Sequence, residues 1–399
     1  MRIVLINPCF SEGMGYLENC LPEALATLGH EVHVVTSTGQ VYFNQPQYKE
    51  TYEEFLGKSI VDPGSKEING FILHRLTFRL IMGKVFLTGL YNRLKVIKPD
   101  IVQTLDPFSF MNIQVILYRI FIKYKIFTAN HIMKSVFPLA HLGKNQKIWK
   151  KISFYITRTL PGKLFNRFIE KSFPITIDAM EISARYYSIP YHKMKIISLG
   201  VDTQLFSPAL SQQMQKKRLE MRENMGIKEN EILCIYTGRF SEGKNPLCLA
   251  QAINKLQNIK ENYKGLFIGN GMQAKQIEKL DGCIIKDFVF FNKLADFYRM
   301  ADIGVWPREE STSMLDAAAC GLPLIISNTV QAAERIENNG LTYIENDVDN
   351  LVDVLLQMRD EKIRKQFSIN GVEKMKRNYS WIRMAEIRIE EYKKSLRKN

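Results

Sequence analysis

The sequence predicts an α/β protein of two consecutive Rossmann-like domains, and three observations lead there. First, apolar strand-length segments alternate with helical stretches through the first half: Ile3–Ile6, Val32–Thr36, Phe71–Leu76, Ile101–Thr104, Ile126–Ala129, Ile175–Ile177 and Lys195–Ser198. Strands separated by helices need crossover connections and therefore pair in parallel. Second, a polar, charged stretch from about Ala209 to Glu231 reads as a linker plus a surface helix, after which the alternation restarts. The second set is Ile232–Tyr236, Gly265–Ile268, Cys283–Ile285, Asp302–Trp306, Leu324–Ile326 and Leu341–Ile344. Third, 399 residues that are 46% hydrophobic and 24% charged are enough for two globular cores. Sheets of this kind bind ligands beyond the carboxyl ends of their strands, so function is sought in the loops there.

In chain order, the first such loop is Pro8-Cys9-Phe10-Ser11-Glu12-Gly13-Met14-Gly15, between the first strand and a helix expected from about Tyr16 to Leu28. Strand, glycine loop and helix together form an anion cradle, with Gly15 nearest the helix. His131 follows the strand Ile126–Ala129 at its carboxyl end, although a lone histidine is more often structural than catalytic. His30 and His33 straddle a strand start on opposite faces and make no metal site. The opening MRIVLINPCF reads as a first strand and not as a signal peptide. Six scattered cysteines without a C-x-x-C pair fit a reducing cytoplasm.

Charge is concentrated in one stretch. Residues 75–171 hold eighteen Lys and Arg against three acids, net +15, whereas the whole chain carries +14. The excess is confined to the first half and points to an anionic partner on one face. Within it, Ile148, Ile152 and Ile156 form a stripe with Trp149 beside them and Lys147, Lys150, Lys151 and Arg158 around it. After a break expected at Pro161-Gly162, Leu164, Phe165, Phe168 and Ile169 repeat the pattern with Lys163, Arg167 and Lys171. Two readings stand: helices packed on the sheet with solvated charges, or a surface that docks on anionic lipid. No zinc finger, RNP-type motif or helix-turn-helix supports a nucleic-acid partner.

In the second half, Thr237-Gly238-Arg239-Phe240-Ser241-Glu242-Gly243-Lys244-Asn245-Pro246 opens from a strand into a helix. Arg239 and Lys244 on such a loop can clamp a diphosphate, the Arg bidentately and the Lys as a point charge. Trp306 to Pro323 reads as strand end, polar loop, short Ala-rich helix and Gly-Pro exit. Glu309 and Glu310 supply carboxylates, and Ser311, Thr312 and Ser313 supply caps and backbone N–H groups for a phosphate or sugar hydroxyl. Asp316, in the first helical turn, could reach a ribose diol. Asp347-Val348-Asp349 precedes a helix, where acids suit the dipole, and is not read as a metal site.

Taken together these segments resemble the retaining GT-B glycosyltransferases of family 4, or glycosyltransferase group 1. The carriers are Gly238-Arg239 with Lys244, Leu315–Pro323, the Gly200-Val201-Asp202 to Pro208 segment, Gly269-Asn270-Gly271, and the Tyr379-Ser380-Trp381 ending. Two departures are plain. Asp316 stands where the family has the second Glu of its pair, and Arg308 lies eight residues before it, so Glu309 or Glu310 must supply the first. Ser and Thr replace the loop glycines.

The resemblance implies a GT-B fold: an acceptor-side domain over 1–205, a nucleotide-sugar domain over 206–380, and a helix over 381–399 returning to the first domain, with a cleft between the domains. It implies a sugar donor carrying a nucleotide diphosphate, with Gly15, Gly238, Arg239, Lys244, Val289, Ser311, Thr312, Ser313 and Asp316 as binding residues. His131 and Glu309 or Glu310 are its candidate catalytic groups. No cofactor or metal is expected. The acceptor is a glycan or a lipid-linked glycan, as in surface-polysaccharide assembly, on the cytoplasmic membrane face. Two other functions share the scaffold: a sugar-nucleotide epimerase, and a binding protein without turnover.

Overall fold

The computed structural model describes residues 1–134, 137, 139, 147–330, 332 and 335–397. They form two compact units: Met1–Leu199 with Ile382–Asn399, and Gly200–Trp381. Residues 135, 136, 138 and 140–146 of the basic stretch lie outside the described residues.

The first unit contains β1 (Arg2–Ile6), β2 (Glu31–Ser37), β3 (Gly64–Ile68), β4 (Phe71–Leu76), the hairpin strands β5 (Phe78–Ile81) and β6 (Lys84–Leu87), β7 (Ile101–Thr104), β8 (Lys125–Asn130) and β9 (Ile169–Pro174). Its main sheet runs β3-β4-β2-β1-β7-β8-β9, parallel except for β3 at the edge. Ile3 to Ile6 are almost wholly buried. An unbroken apolar run, without polar alternation, is what a strand covered on both faces requires. The β5–β6 hairpin was not visible as strands, but its turn residues Met82 and Gly83 both have positive φ, the conformation that matches the twist of a tight hairpin.

Three expectations shift. Ile175–Ile177 is no strand: β9 ends at Pro174, and the helix Ile177–Tyr187 starts behind Thr176, whose hydroxyl accepts the Ala179 N–H. Lys195–Ser198 runs beside β9, with N–H groups of Lys195 and Ile197 donating to Ser172 and Pro174, but forms no full strand. Pro161-Gly162 breaks nothing. The helix Lys147–Phe154 continues through a π-helical turn at Tyr155–Thr159 into Leu160–Phe165. Proline lacks an N–H and its ring collides with the carbonyl four residues back, here Thr157. The looser π turn lies directly before it, and Arg158 donates to that Thr157 carbonyl at 3.1 Å.

The second unit contains β10 (Ile232–Thr237), β11 (Tyr263–Ile268), β12 (Cys283–Lys286), β13 (Ile303–Trp306), β14 (Leu324–Ser327) and β15 (Gly340–Tyr343), all parallel in the order β12-β11-β10-β13-β14-β15. The order reverses between β10 and β13, which is where open α/β sheets bind ligands. The surface helix expected in the polar stretch is Gln212–Asn224, and it is tied to its unit. Its Arg222 is buried and donates to the Met300 carbonyl at 2.9 Å and to Asp302 at 3.0 Å. The boundary between units falls at Leu199–Gly200, before the expected 205. Val201 belongs to the second core and accepts the Trp381 N–H, and a Cβ on Gly200 would meet the Trp381 ring at 2.7 Å.

Within the first unit, His33 and His74 are buried and stacked, with Nδ1 of His33 3.0 Å from Nε2 of His74. Glu31 and Ser65 hold the outer nitrogens at 3.1 and 2.7 Å. Burial pushes His74 down to about 4. Because the native state refuses a proton that the unfolded chain accepts near its ordinary value of about 6.5, this histidine favours folding above that pH. The contribution is lost as the pH falls toward 4, at up to about 1.4 kcal/mol per pH unit. Urea unfolding between pH 7 and 4 should show a shallower loss of stability in His74→Gln than in the wild type. Identical slopes would contradict the coupling.

Candidate functional site

In the second unit the loops after β10 and β11 meet because their backbones approach unusually closely, and the β13 loop joins them through Lys244. A Cβ on Gly269 would lie 2.0 Å from the Gly238 carbonyl, and one on Gly271 would lie 2.5 Å from that of Phe240. Both glycines also have φ values, +142° and +150°, that side-chain-bearing residues rarely adopt. The Gly238 N–H donates to Ile268 at 3.0 Å and the Phe240 N–H to Asn270 at 2.9 Å, which locks the two loops together. Tyr236, at the end of β10, donates its hydroxyl to the Arg239 carbonyl at 3.0 Å and fixes the turn.

This turn aims two cations differently. Arg239 is exposed and has no acidic partner among the described residues. Lys244 is largely buried and donates at 2.7 Å to the Glu310 carbonyl, with the Glu309 carboxylate 3.2 Å away. Burial holds Lys244 below its ordinary value and the nearby Arg239 charge adds to this, while Glu309 opposes it.

Glu309 and Glu310 have separate tasks. Glu309 is half-buried against Lys244. Glu310 lies 2.5 Å from the guanidinium of Arg335, which is itself buried. The Glu310 carboxylate is therefore the counter-charge of an interior cation, and Glu309 is the carboxylate left at the Lys244 end. Arg335 carries no sequence signature, because burial of an arginine is set by tertiary packing.

The helix after β13 is Ser313–Ala319. Thr312 occupies the N-cap position with helical backbone angles and makes no side-chain cap. The Ser311 hydroxyl accepts the Ser313 N–H at 3.3 Å, so that N–H is already engaged. Asp316 is buried in the first turn. Its carboxyl is held well above the usual carboxylate range by burial, with Asp202 adding repulsion. Tyr298, missed in the sequence, bonds the Thr237 hydroxyl at 2.8 Å and also reaches Ser313, tying β10 to this helix. Val289 turns its side chain into the core, so only its backbone is available to a ligand, while Phe288 and Phe290 flank it, exposed. Asp347 caps the helix Val348–Gln357 by accepting the Asn350 N–H at 2.9 Å. Among the described residues, no cluster of three His, Cys, Asp or Glu is placed to hold a metal ion.

Gly15 and His131 belong to the first unit. Gly15, with φ +66°, ends the loop between β1 and the helix Leu17–Thr27. That loop is braced by Ser11, which donates to Gln40 and accepts from the Val41 N–H. His131 follows β8, and its Nε2 is buried without a partner among the described residues. Burial, reinforced by Arg388, pushes it down to about 4, so the imidazole is neutral at physiological pH.

Residues 231–361, which hold β10 to β15 and the second-unit loops just described, match the family model described as glycosyl transferases group 1. The second unit carries a glycosyl transferases group 1 domain. The chain is 28% identical over 225 residues to the spore coat protein SA of Bacillus subtilis, covering 51% of this chain and 59% of that protein. It is 22% identical over 357 residues to the alpha-monoglucosyldiacylglycerol synthase of Acholeplasma laidlawii, covering 85% of this chain and 82% of that one. The crystal structure of Anabaena HepE in complex with UDP superposes with a TM-score of 0.70 at 12% identity, over 99% of this chain and 100% of that one. The chain's match to the spore coat relative thus spans about three fifths of that relative's length. The fold, two parallel-sheet α/β units, is that of GT-B glycosyltransferases.

The buried pair in the group 1 domain gives a direct test. Arg335→Met leaves Glu310 without its interior counter-charge and should destabilise the unit by about 3–5 kcal/mol. The double variant Arg335→Met/Glu310→Gln should recover much of that in chemical denaturation. A double variant no more stable than the single one would show that the two side chains are not coupled.

Proposed function

We propose that this chain is a retaining glycosyltransferase that moves a sugar from a nucleotide diphosphate sugar to a glycan or lipid-linked acceptor. The observation that carries the proposal is Lys244, held between the Glu309 carboxylate and the Glu310 carbonyl where the strand order reverses, with exposed Arg239 on the same loop. The Glu309 carboxylate neutralises Lys244. A diphosphate entering between Lys244 and Arg239 would take over that role and release Glu309 toward the sugar ring. Negative charge grows on the leaving diphosphate as the glycosidic bond breaks. Fixed cations aimed there stabilise the transition state more than the ground state.

Asp316, whose carboxyl burial holds well above the usual carboxylate range, is the candidate contact for a ribose diol. The Val289 backbone is the candidate contact for the base, with Gly238 and the Ser311–Ser313 segment beside the phosphates. The UDP complex of the HepE structure supports a nucleotide donor. The relative named as an alpha-monoglucosyldiacylglycerol synthase supports a lipid-linked acceptor. The proposed setting is surface-polysaccharide assembly on the cytoplasmic membrane face, with no metal and no other cofactor in the transfer.

Transfer of radiolabelled sugar from its nucleotide to membrane-extracted lipid-linked acceptors would test this. Arg239→Ala and Lys244→Ala should each lower kcat/KM by roughly 10²–10³, and Glu309→Gln should lower activity without shifting the melting temperature. EDTA should leave the rate unchanged. Near-full turnover by the Lys244 variant would contradict the clamp, and release of free hexose without transfer would contradict the transferase reading.

A further inference from the structure

The helical run from residue 147 to 168 buries one face and leaves another bare. The inward positions are Phe154, packed edge-on to Phe137, Tyr186 and Tyr187, then Thr159, Gly162, Phe165 and Asn166. The Thr159 hydroxyl donates to the Tyr186 carbonyl, and the Asn166 amide donates to that of Tyr187. A Cβ on Gly162 would lie 2.5 Å from the Tyr187 carbonyl, so the run is pressed tightly onto its own unit.

The apolar residues spaced four apart are not on that face. Ile148, Ile152, Ile156, Leu160 and Leu164 are between 43% and 64% exposed, and Trp149 is 79% exposed. Four residues exceed one α-helical turn, so such a row drifts around a regular helix. The π turn at Tyr155–Thr159 winds less per residue and reduces the drift, which keeps the row on one side. The proline-induced turn thus aligns an exposed apolar ridge.

Charge decides what fits it. Lys150, Lys151, Lys163 and Arg167 are exposed along the same run, and none has an acidic partner among the described residues. The sequence contains no acid between Asp106 and Glu170. The far end of the run adjoins a second apolar point: Arg119 lies over the Phe168 ring at 6.0 Å, and the next residues, Ile120 and Phe121, are each 74% exposed. A ridge of aliphatic side chains with one tryptophan, bordered by cations, matches a bilayer with anionic headgroups. The five aliphatic side chains of the row give a nucleic acid no stacking surface, and no nucleic-acid-binding motif accompanies them.

We propose that this ridge docks flat on an anionic membrane surface, with Trp149, Ile152 and Ile156 entering the headgroup region and the lysines on its phosphates. This deepens the lipid-linked-acceptor reading by naming the surface that would bring the enzyme to such an acceptor. It stands or falls by a different measurement.

Trp149 makes that measurement simple, because the other two tryptophans, Trp306 and Trp381, are 1% and 7% exposed. Acrylamide quenching of the full chain therefore reports mainly on Trp149. Vesicles of phosphatidylglycerol and phosphatidylcholine should shift the emission to the blue and shield it, and vesicles of phosphatidylcholine alone should do so far less. Ile152→Ser/Ile156→Ser and Lys150→Glu/Lys151→Glu should each weaken vesicle binding by about tenfold or more. All four positions are exposed, and an unchanged melting temperature verifies folding. Trp149 equally quenched with and without anionic vesicles would overturn the proposal. So would shielding already present in vesicle-free protein that sediments as a dimer, because a second copy would then cover the ridge. A nucleotide-dependent rise in melting temperature, measured without lipid, reports the donor site separately, so either reading can fail alone.

Discussion

Two adjacent carboxylates that diverge organise the second unit. Glu310 reaches inward to the buried guanidinium of Arg335, and Glu309 stays at the loop surface against Lys244. An interior arginine without its counter-charge is strongly unfavourable, so the first pair fixes the backbone of the β13 loop. With that backbone fixed, the Glu310 carbonyl becomes a stationary acceptor for Lys244, 2.7 Å away, and places the ammonium group beside the loop that carries Arg239. The close glycine contacts between the β10 and β11 loops complete the frame. The position of Lys244 thus depends on a buried ion pair that Lys244 does not itself join.

The first unit uses charge in a different way. Part of its basic excess borders the outward ridge of residues 147–165, and part is used internally: Lys171 and Lys195 both contact Glu391, at 2.7 and 2.9 Å, on the C-terminal helix Trp381–Leu396. Those contacts hold Glu391 down to about 2 against the opposing effect of its burial. The helix also buries Tyr392, which donates to Gln103 on β7 at 2.6 Å. The return of the C-terminal helix to the first unit is therefore built from specific polar contacts as well as apolar packing.

Much of this was legible in the sequence, and the reasons are physical. The parallel strands are buried on both faces, so they appear as apolar runs, and eleven expected segments coincide with observed strands within a residue or two. The glycines of the candidate-site loops were visible because a Cβ at Gly269 or Gly271 would lie 2.0 or 2.5 Å from a facing carbonyl, which no other residue tolerates. What was hidden depends on tertiary context. Nothing in the composition separates Glu309 from Glu310, since the difference lies in the burial of Arg335. Tyr298 and Arg222 look like ordinary helix residues until their partners in other elements are known. Pro161-Gly162 read as a break because local rules assign proline to helix ends, and the π turn that lets the helix pass through it is a longer-range accommodation.

The most direct measurement is nucleotide binding by the isolated protein, followed as the shift in melting temperature with UDP, GDP, ADP, CMP and dTDP, with and without Mg²⁺. Binding to the native state raises the melting temperature in step with RT ln(1 + [L]/Kd). We expect a shift with one nucleoside diphosphate, unchanged by Mg²⁺ and lost in both Arg239→Ala and Lys244→Ala. No shift with any nucleotide, or a shift that survives loss of both cations, would contradict a diphosphate clamp at this loop.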